Sequence, residues 1–372
     1  MTRLALLANQ GASTLTFRGR LLGAMAAAGH QVTVLTPPIP PDQERAFRDL
    51  GVDHRPIPLD RTGLRPLRDA RSVLALTAIL ARLRPDIVLT YNIKPVIYGT
   101  VAARAARVPF RAAMITGLGH AFVDRSPRGR LLNRLVRLLY RRALPHCDVV
   151  FFQNPDDLQL FRQHRLLGGA RAVLVDGEGV DVDHFASVPP PAGAPTFLLV
   201  GRVIREKGIE EYVQAARRLK VSHPQARFQL LGPYDANPSA LSREQVAAWE
   251  REGVLEYLGQ TSDVRPFLAA CTVYVLPSWR EGTPVSVLEA LSTGRPVVTT
   301  DVPGCRETVV DGDNGFLVPA HDPRSLADAM ERFVLEPGLA QEMGRRSREI
   351  AVERYDVHKV NADLFRHLEL SG

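Results

Sequence analysis

The residues best suited to chemistry in this 372-residue chain are two cations and two carboxylates. Arg202 and Lys207 lie in "VGRVIREKGIEEYVQAA", where a predicted strand passes through Gly201 and leads into a helix. Glycine permits the tight turn there. The strand end beside a helix start adds backbone N–H groups and the positive end of a helix dipole, which suits the segment to clamp a diphosphate. Alone, an R-x4-K spacing is better read as two solvated cations in a surface loop. A second segment, "PSWREGTPVSVLEALSTGRPVVTT", strengthens the functional reading. Glu281 follows the apolar strand "TVYVLP", the chain turns through Gly282, Thr283 and Pro284, and Glu289 falls one to two turns inside the helix that begins there. Two carboxylates at this spacing can hold two polyhydroxyl rings, and free N–H groups of Val285 and Ser286 can meet a phosphate.

Positioning such groups requires sheets. Short apolar, β-branched runs alternate with amphipathic stretches of helix length, the pattern of βα units feeding a parallel sheet, and the pattern occurs twice. In the first half, strands are expected at "RLALLA", "QVTVLT", "DIVLT", "RAAMIT", "DVVFF" and "RAVLVD", with helices around Phe17 to Ala28 and Leu64 to Leu83. The segment "PPPAGAP", Pro189 to Pro195, interrupts the pattern and reads as a linker. The second half restarts with "TFLLVG", "FQLLG", "VLEYLG", "TVYVLP" and "PVVTT". Length alone favours about two domains. The expected fold class is α/β, two doubly wound Rossmann-like parallel-sheet domains facing across a cleft. Residues 1–188 and 189–355 form the two domains, and a helix in 356–372 is able to cross back to the first. Ligands of open α/β sheets bind at the carboxyl ends of the strands.

Charge divides between the halves. Residues 1–190 carry 26 Lys and Arg against 15 Asp and Glu, whereas residues 191–372 carry 21 against 25. A basic first lobe implies an anionic partner there: nucleic acid, anionic lipid or a phosphate-bearing substrate. Seven arginines crowd Arg125 to Arg142. Read as a helix over 129–145, the run places Arg130, Arg134, Arg137 and Arg141 on one stripe, with Leu131, Leu132, Leu135, Leu138 and Leu139 on the other side. That profile fits a helix lying on an anionic membrane surface, and equally a surface helix packing its leucines on its own lobe. No aromatic stacking segment accompanies the arginines, which argues against nucleic acid.

Cys147, Cys271 and Cys305 are too few and too scattered for a disulfide framework or a paired metal site, which fits a reducing compartment. Five apolar residues between Arg3 and Asn9 are too short for a signal-peptide core, and no run approaches the ~20 apolar residues of a membrane span. The expectation is a cytoplasmic protein, peripheral on the inner face of the plasma membrane.

The segments "VGRVIREKG", "EGTPVSVLE" (an E-x7-E motif) and "GRPVVTTDVPGCRETVVDGDNGFLV", spread over Phe197 to Pro319, resemble the nucleotide-sugar glycosyltransferases of the GT-B fold, specifically glycosyltransferase family 4. The resemblance implies an acceptor-binding first lobe and a nucleotide-binding second lobe. It implies that Arg202 and Lys207 bind the donor diphosphate, that Glu281 contacts the transferred sugar, and that Glu289 contacts the ribose. The base would meet the backbone of Tyr257 to Gln260, with Gly259 in that turn. Near the start, "LLANQGASTLTFRGRLLGAMAAAGHQV" is similar to the family's first strand, loop and helix, with Gly11 approaching the diphosphate. Many members have paired glycines where this chain has Gly11-Ala12-Ser13.

"TYNIKPVIYGTVAAR" and "ITGLGHAF" narrow the resemblance to the branch that extends capsular or polyprenyl-diphosphate-linked saccharides. His120, in the second of these, matches a place where members set a polar group against the donor sugar; a histidine capping its own loop reads nearly as well. The implied donor is a nucleotide sugar with a family tendency to UDP, with no separate cofactor. The implied reaction retains anomeric configuration and needs no metal. Asp181 to Asp183 and Asp311 to Asp313 look like D-x-D metal motifs but read as loop turns. Two alternatives stand beside transfer to a lipid-linked saccharide: a nucleotide-sugar epimerase or hydrolase of the same fold, and an inactive binding module.

Overall fold

The computed structural model describes residues 1–60, 63, 65–118, 126–235 and 239–370. Among them, seven strands pair as one parallel sheet: β1 (Arg3–Leu7), β2 (Gln31–Thr36), β3 (Asp53–Pro56), β4 (Ile87–Tyr91), β5 (Phe110–Ile115), β6 (Val149–Phe152) and β7 (Arg171–Leu174). Their spatial order is β3-β2-β1-β4-β5-β6-β7. A second parallel sheet holds β8 (Thr196–Val200), β9 (Arg227–Leu231), β10 (Glu256–Tyr257), β11 (Val273–Leu276), β12 (Val297–Thr300) and β13 (Gly315–Val318), in the order β10-β9-β8-β11-β12-β13. Helices cover both faces of the first sheet, which is why its strands are almost continuously apolar. Ala5 and Leu7 enter a core with Leu76, Leu80, Val136 and Phe161, while Leu4 and Leu6 enter another with Leu21, Leu22 and Phe47.

These sheets belong to two units, Met1–Glu178 with Val357–Gly372, and Gly179–Asp356. The chain therefore crosses between units at Glu178–Gly179, ten residues before the boundary read from the proline-rich segment, and again at Asp356–Val357. Prolines 189 and 190 belong to the second unit, where the Pro189 carbonyl accepts a hydrogen bond from the buried Arg295 guanidinium at 3.2 Å. Their composition marks a stiff irregular stretch, and that stretch is packed rather than connecting. The last helix, Val357–His367, is part of the first unit: Val360 and Leu364, with Leu368 just beyond, share the core of Leu4 and Leu21.

Local details also differ from the expectation. The strand β3 was not foreseen, because "DHRP" on a sheet edge has no apolar run. The first helix spans Gly11–Ala27, six residues earlier than read; Ser13 and Thr14, weak helix formers, both donate hydroxyl hydrogen bonds to the Gln10 carbonyl.

The arginine-rich helix, Pro127–Ala143, starts with Ser126 Oγ accepting from the Gly129 N–H at 3.0 Å. It buries Gly129, Val136, Tyr140 and Ala143. Leucines and arginines are not segregated as expected: Leu131, Leu135 and Leu138 are 68, 40 and 47% exposed, on the same face as Arg128, Arg134 and Arg142. Arg137 Nη1 instead lies 2.8 Å from His164 Nε2, and Arg141 donates to the His164 carbonyl at 2.7 Å. The three cysteines are buried and free.

Candidate functional site

In the second unit the strand order reverses between β8 and β11, so the loops leaving those two strands flank the crevice where an open α/β sheet takes its ligand. The first loop carries Gly201, Arg202 and the short turn Arg205–Lys207 before the helix Ile209–Ser222; the second carries Trp279 to Pro284 before the helix Val285–Ser292. Gly208 joins turn to helix at φ +71°, and a Cβ there would lie 2.0 Å from the Pro277 carbonyl oxygen. Only glycine lets the two loops approach so closely. Gly208→Ala is expected to lower the stability of the second unit by about 2–4 kcal/mol through backbone strain and a clash that cannot relax. An unchanged urea midpoint would count against that approach.

Three contacts lace the loops together. The Trp279 N–H donates to the Glu206 carbonyl at 2.9 Å, the Trp279 indole donates to Glu211 Oε1 at 3.0 Å, and the Lys207 ammonium donates to Glu281 Oε1 at 2.6 Å. Lys207 and Glu281 are each only 16% exposed, so their attraction is weakly screened. Glu281 is further fixed by its own N–H, which donates to the Pro303 carbonyl at 3.0 Å. Gly201 lies along the Lys207 stem.

The helix Val285–Ser292 buries Val287, Leu288, Ala290, Leu291 and Ser292, leaving Val285, Ser286 and Glu289 as one part-exposed face. The Tyr274 hydroxyl donates to Ser286 Oγ at 2.6 Å, tying the helix start to β11. The residue before this helix is Pro284, which has no side-chain group to cap it. Gly282 and Thr283 are buried in the turn. Glu289 reaches the surface only in part, and the protein packed around its carboxyl pushes it up to about 8 by desolvation.

Arg202 points elsewhere than the Lys207–Glu281 pair: its Nη1 lies 2.7 Å from Asp235 Oδ2, in the loop after β9, and its side chain is 45% exposed. In the neighbouring turn the Tyr257 hydroxyl donates to the Gly232 carbonyl at 2.9 Å and the Gly232 N–H to the Gly259 carbonyl at 2.7 Å, while Gln260 is exposed. Tyr234 meets Tyr257 edge-on at 5.2 Å, beneath the Arg243 guanidinium. A cation, a carboxylate and a helix start thus meet at one crevice, a set able to hold a sugar joined to a diphosphate.

Comparison with known proteins decides the family. Residues 16–177 match the model for a glycosyl transferase 4-like domain and residues 194–336 that for glycosyl transferases group 1, one in each unit. A Campylobacter jejuni relative is N,N'-diacetylbacillosaminyl-diphospho-undecaprenol alpha-1,3-N-acetylgalactosaminyltransferase, 26% identical over 95% of both chains. The chain belongs to the family 4 glycosyltransferases of the GT-B fold. An Escherichia coli relative of this glycosyltransferase is UDP-Gal:alpha-D-GlcNAc-diphosphoundecaprenol alpha-1,3-galactosyltransferase, 25% identical over 79% of this chain and 77% of that one. Among solved structures, the sucrose-phosphate synthase of Thermosynechococcus elongatus superimposes with a TM-score of 0.82 at 22% identity, covering 99% of each chain. Anabaena HepE in complex with UDP and glucose does so with 0.79 at 17%, covering 99% of this chain and all of that one.

In the first unit of the glycosyltransferase, Gly11 opens the first helix, and a Cβ there would lie 2.3 Å from Ile39 Cγ2, so any larger residue must displace the Ile39 side chain. His120 lies outside the described residues. The aspartates of the two D-x-D sequences are engaged in turns and ion pairs. Asp181 Oδ1 accepts the N–H groups of Asp183 and His184, Asp311 Oδ1 accepts that of Leu317, and Asp313 pairs with Arg346. Sequence reasoning missed Asp235, Trp279 and Glu211. Trp279 lies two residues before the E-x7-E motif, but nothing local indicates that its indole reaches a residue 68 positions away.

Proposed function

We propose that this glycosyltransferase moves a sugar from a UDP-linked donor to a saccharide carried on a lipid diphosphate, with retention of anomeric configuration and without a resident metal. The observation carrying this reading is the 2.6 Å Lys207–Glu281 pair at the sheet's switch point. One ammonium and one carboxylate are set where a diphosphate and its sugar would lie side by side. Lys207 and the N-terminus of the helix Val285–Ser292 meet the charge that grows on the leaving phosphate as the C1–oxygen bond breaks, and Arg202 joins them by exchanging Asp235 for the diphosphate. The acceptor hydroxyl attacks C1 from the same face and passes its proton to the departing phosphate oxygen, which yields a glycoside and the nucleoside diphosphate. Glu281 holds the sugar and Glu289 the ribose. The names of the Campylobacter jejuni and Escherichia coli relatives support a diphospholipid-linked acceptor, and the second supports UDP.

The test is a UDP-sugar screen against farnesyl-diphospho-N-acetylglucosamine in the presence and absence of EDTA, with product identified by mass and anomeric configuration by NMR. A product of inverted configuration, or turnover abolished by EDTA and restored by a divalent cation, would overturn the corresponding part. Nucleotide release equal with and without acceptor would turn the reading toward a hydrolase.

The membrane surface holding such an acceptor is met, in this reading, by the helix Pro127–Ala143. Leu131, Leu135 and Leu138 form an exposed apolar stripe flanked by arginines, and no helix among the described residues is long and apolar enough to cross a bilayer. Arg134→Glu with Arg142→Glu should weaken binding to mixed phosphatidylcholine–phosphatidylglycerol vesicles by about tenfold or more, since each charge near such a surface contributes ~1 kcal/mol. Equal sedimentation of variant and unaltered protein would return this helix to a purely structural part.

A further inference from the structure

In the first unit the strand order reverses between β1 and β4, which places that sheet's own ligand crevice beside the loop Asn92-Ile93-Lys94 leaving β4. This loop is built at some expense to the fold. Asn92 holds φ +71°, a left-handed backbone uncommon outside glycine, and its Oδ1 is buried with no hydrogen-bond partner. Lys94 is 8% exposed; its Nζ lies 3.1 Å from Asp69 Oδ1 and 5.9 Å from the centre of the Tyr98 ring. Asp69, 7% exposed, also accepts the Arg65 N–H at 2.9 Å in the opening turn of the helix Pro66–Leu83. The chain then continues as a π-helical turn, Pro95–Gly99, a rare form that concentrates at functional sites.

Stability does not demand such a pair, because apolar residues of similar volume serve a core as well or better. An ammonium has three donors, and the contact to Asp69 uses one. Strained backbone, an unmatched amide oxygen and a buried cation converge at the one edge of this sheet where ligands bind. We infer that Lys94, held by Asp69, receives the diphosphate of the acceptor, and that Asn92 Oδ1 accepts a hydroxyl of the sugar attached to it. This rests on the acceptor class proposed above and assigns its recognition to named residues of the first unit.

The test compares two acceptors carrying the same sugar, farnesyl-diphospho-N-acetylglucosamine and octyl N-acetylglucosaminide, using the donor found in the screen. The unaltered protein should prefer the diphosphate acceptor in kcat/KM. Lys94→Met should lower kcat/KM for that acceptor about tenfold to a hundredfold, the effect of losing a charge-assisted hydrogen bond, and leave the glycoside nearly unaffected, so that the preference collapses. Because Lys94→Met strands a buried carboxylate, the double variant Lys94→Met with Asp69→Asn, which is neutral yet keeps an oxygen for the Arg65 N–H, is measured as well; the same collapse at an unchanged Tm is expected. A preference retained in both variants, or an equal loss on both acceptors together with a lower Tm, would make Lys94 a tether of its loop and overturn the inference alone. Transfer by the unaltered protein to neither acceptor would overturn the functional reading first, and this inference with it.

Discussion

Lys207→Ala is expected to lower turnover by about 10²–10³-fold, because it removes a positioned positive charge from the point where negative charge develops on the leaving phosphate. The structure adds a second consequence that the sequence does not suggest. Lys207 is the counter-charge of Glu281 at 2.6 Å, with both groups largely shielded, so the substitution also leaves a carboxylate short of its partner. A stability loss of about 1 kcal/mol is expected, a Tm shift of a few degrees. The two effects separate in one experiment that measures nucleotide release at saturating donor and Tm on the same sample. Lys207→Arg keeps the charge but not the point geometry and should recover only part of the rate. A rate within a few-fold of normal for the alanine variant would dismiss the clamp, whatever happened to Tm.

The second large effect concerns pH. Glu289 titrates near 8 in the folded protein against an ordinary 4.5, and the cause is burial of the charged form. Below about pH 4.5 the carboxyl is protonated folded or unfolded and contributes no slope. Between about 4.5 and 8 the folded chain keeps a proton that the unfolded chain has lost, so stability falls as pH rises through this window. Above 8 both states are ionised and the penalty is constant. Glu289→Gln removes the titration while keeping the shape, so its Tm should exceed that of the unaltered protein at pH 8.5 and converge with it at pH 4.5. Parallel Tm curves across that range would mean Glu289 is solvated well enough to ionise normally.

Much of this architecture is local and therefore legible from the residues. Each apolar run followed by an amphipathic stretch gives a strand and its helix without reference to the rest of the chain, and the same is true of Gly201 to Lys207 and of Glu281 to Glu289. What was not legible depends on partners distant in sequence. Nothing around Arg202 foretells Asp235, and nothing around Trp279 foretells Glu211. Periodicity gave the arginine-rich helix its position, yet which face is covered depends on the sheet beneath it, so Leu131, Leu135 and Leu138 emerged on the exposed side. The edge strand β3 carries too little apolar patterning to be seen, and only packing against Leu4 and Leu21 reveals where Val360 and Leu364 belong.

The double crossing at Glu178–Gly179 and Asp356–Val357 also sets an order of assembly. During synthesis, Gly179–Asp356 leaves the ribosome as one uninterrupted stretch and can close its core at once. The earlier-made β1 to β7 can bury Leu4 and Leu6 under Leu21, Leu22 and Phe47, but the part of that core filled by Val360 and Leu364 stays open until the last helix is made. The half of the polypeptide translated first is thus the half whose last core residues are translated last.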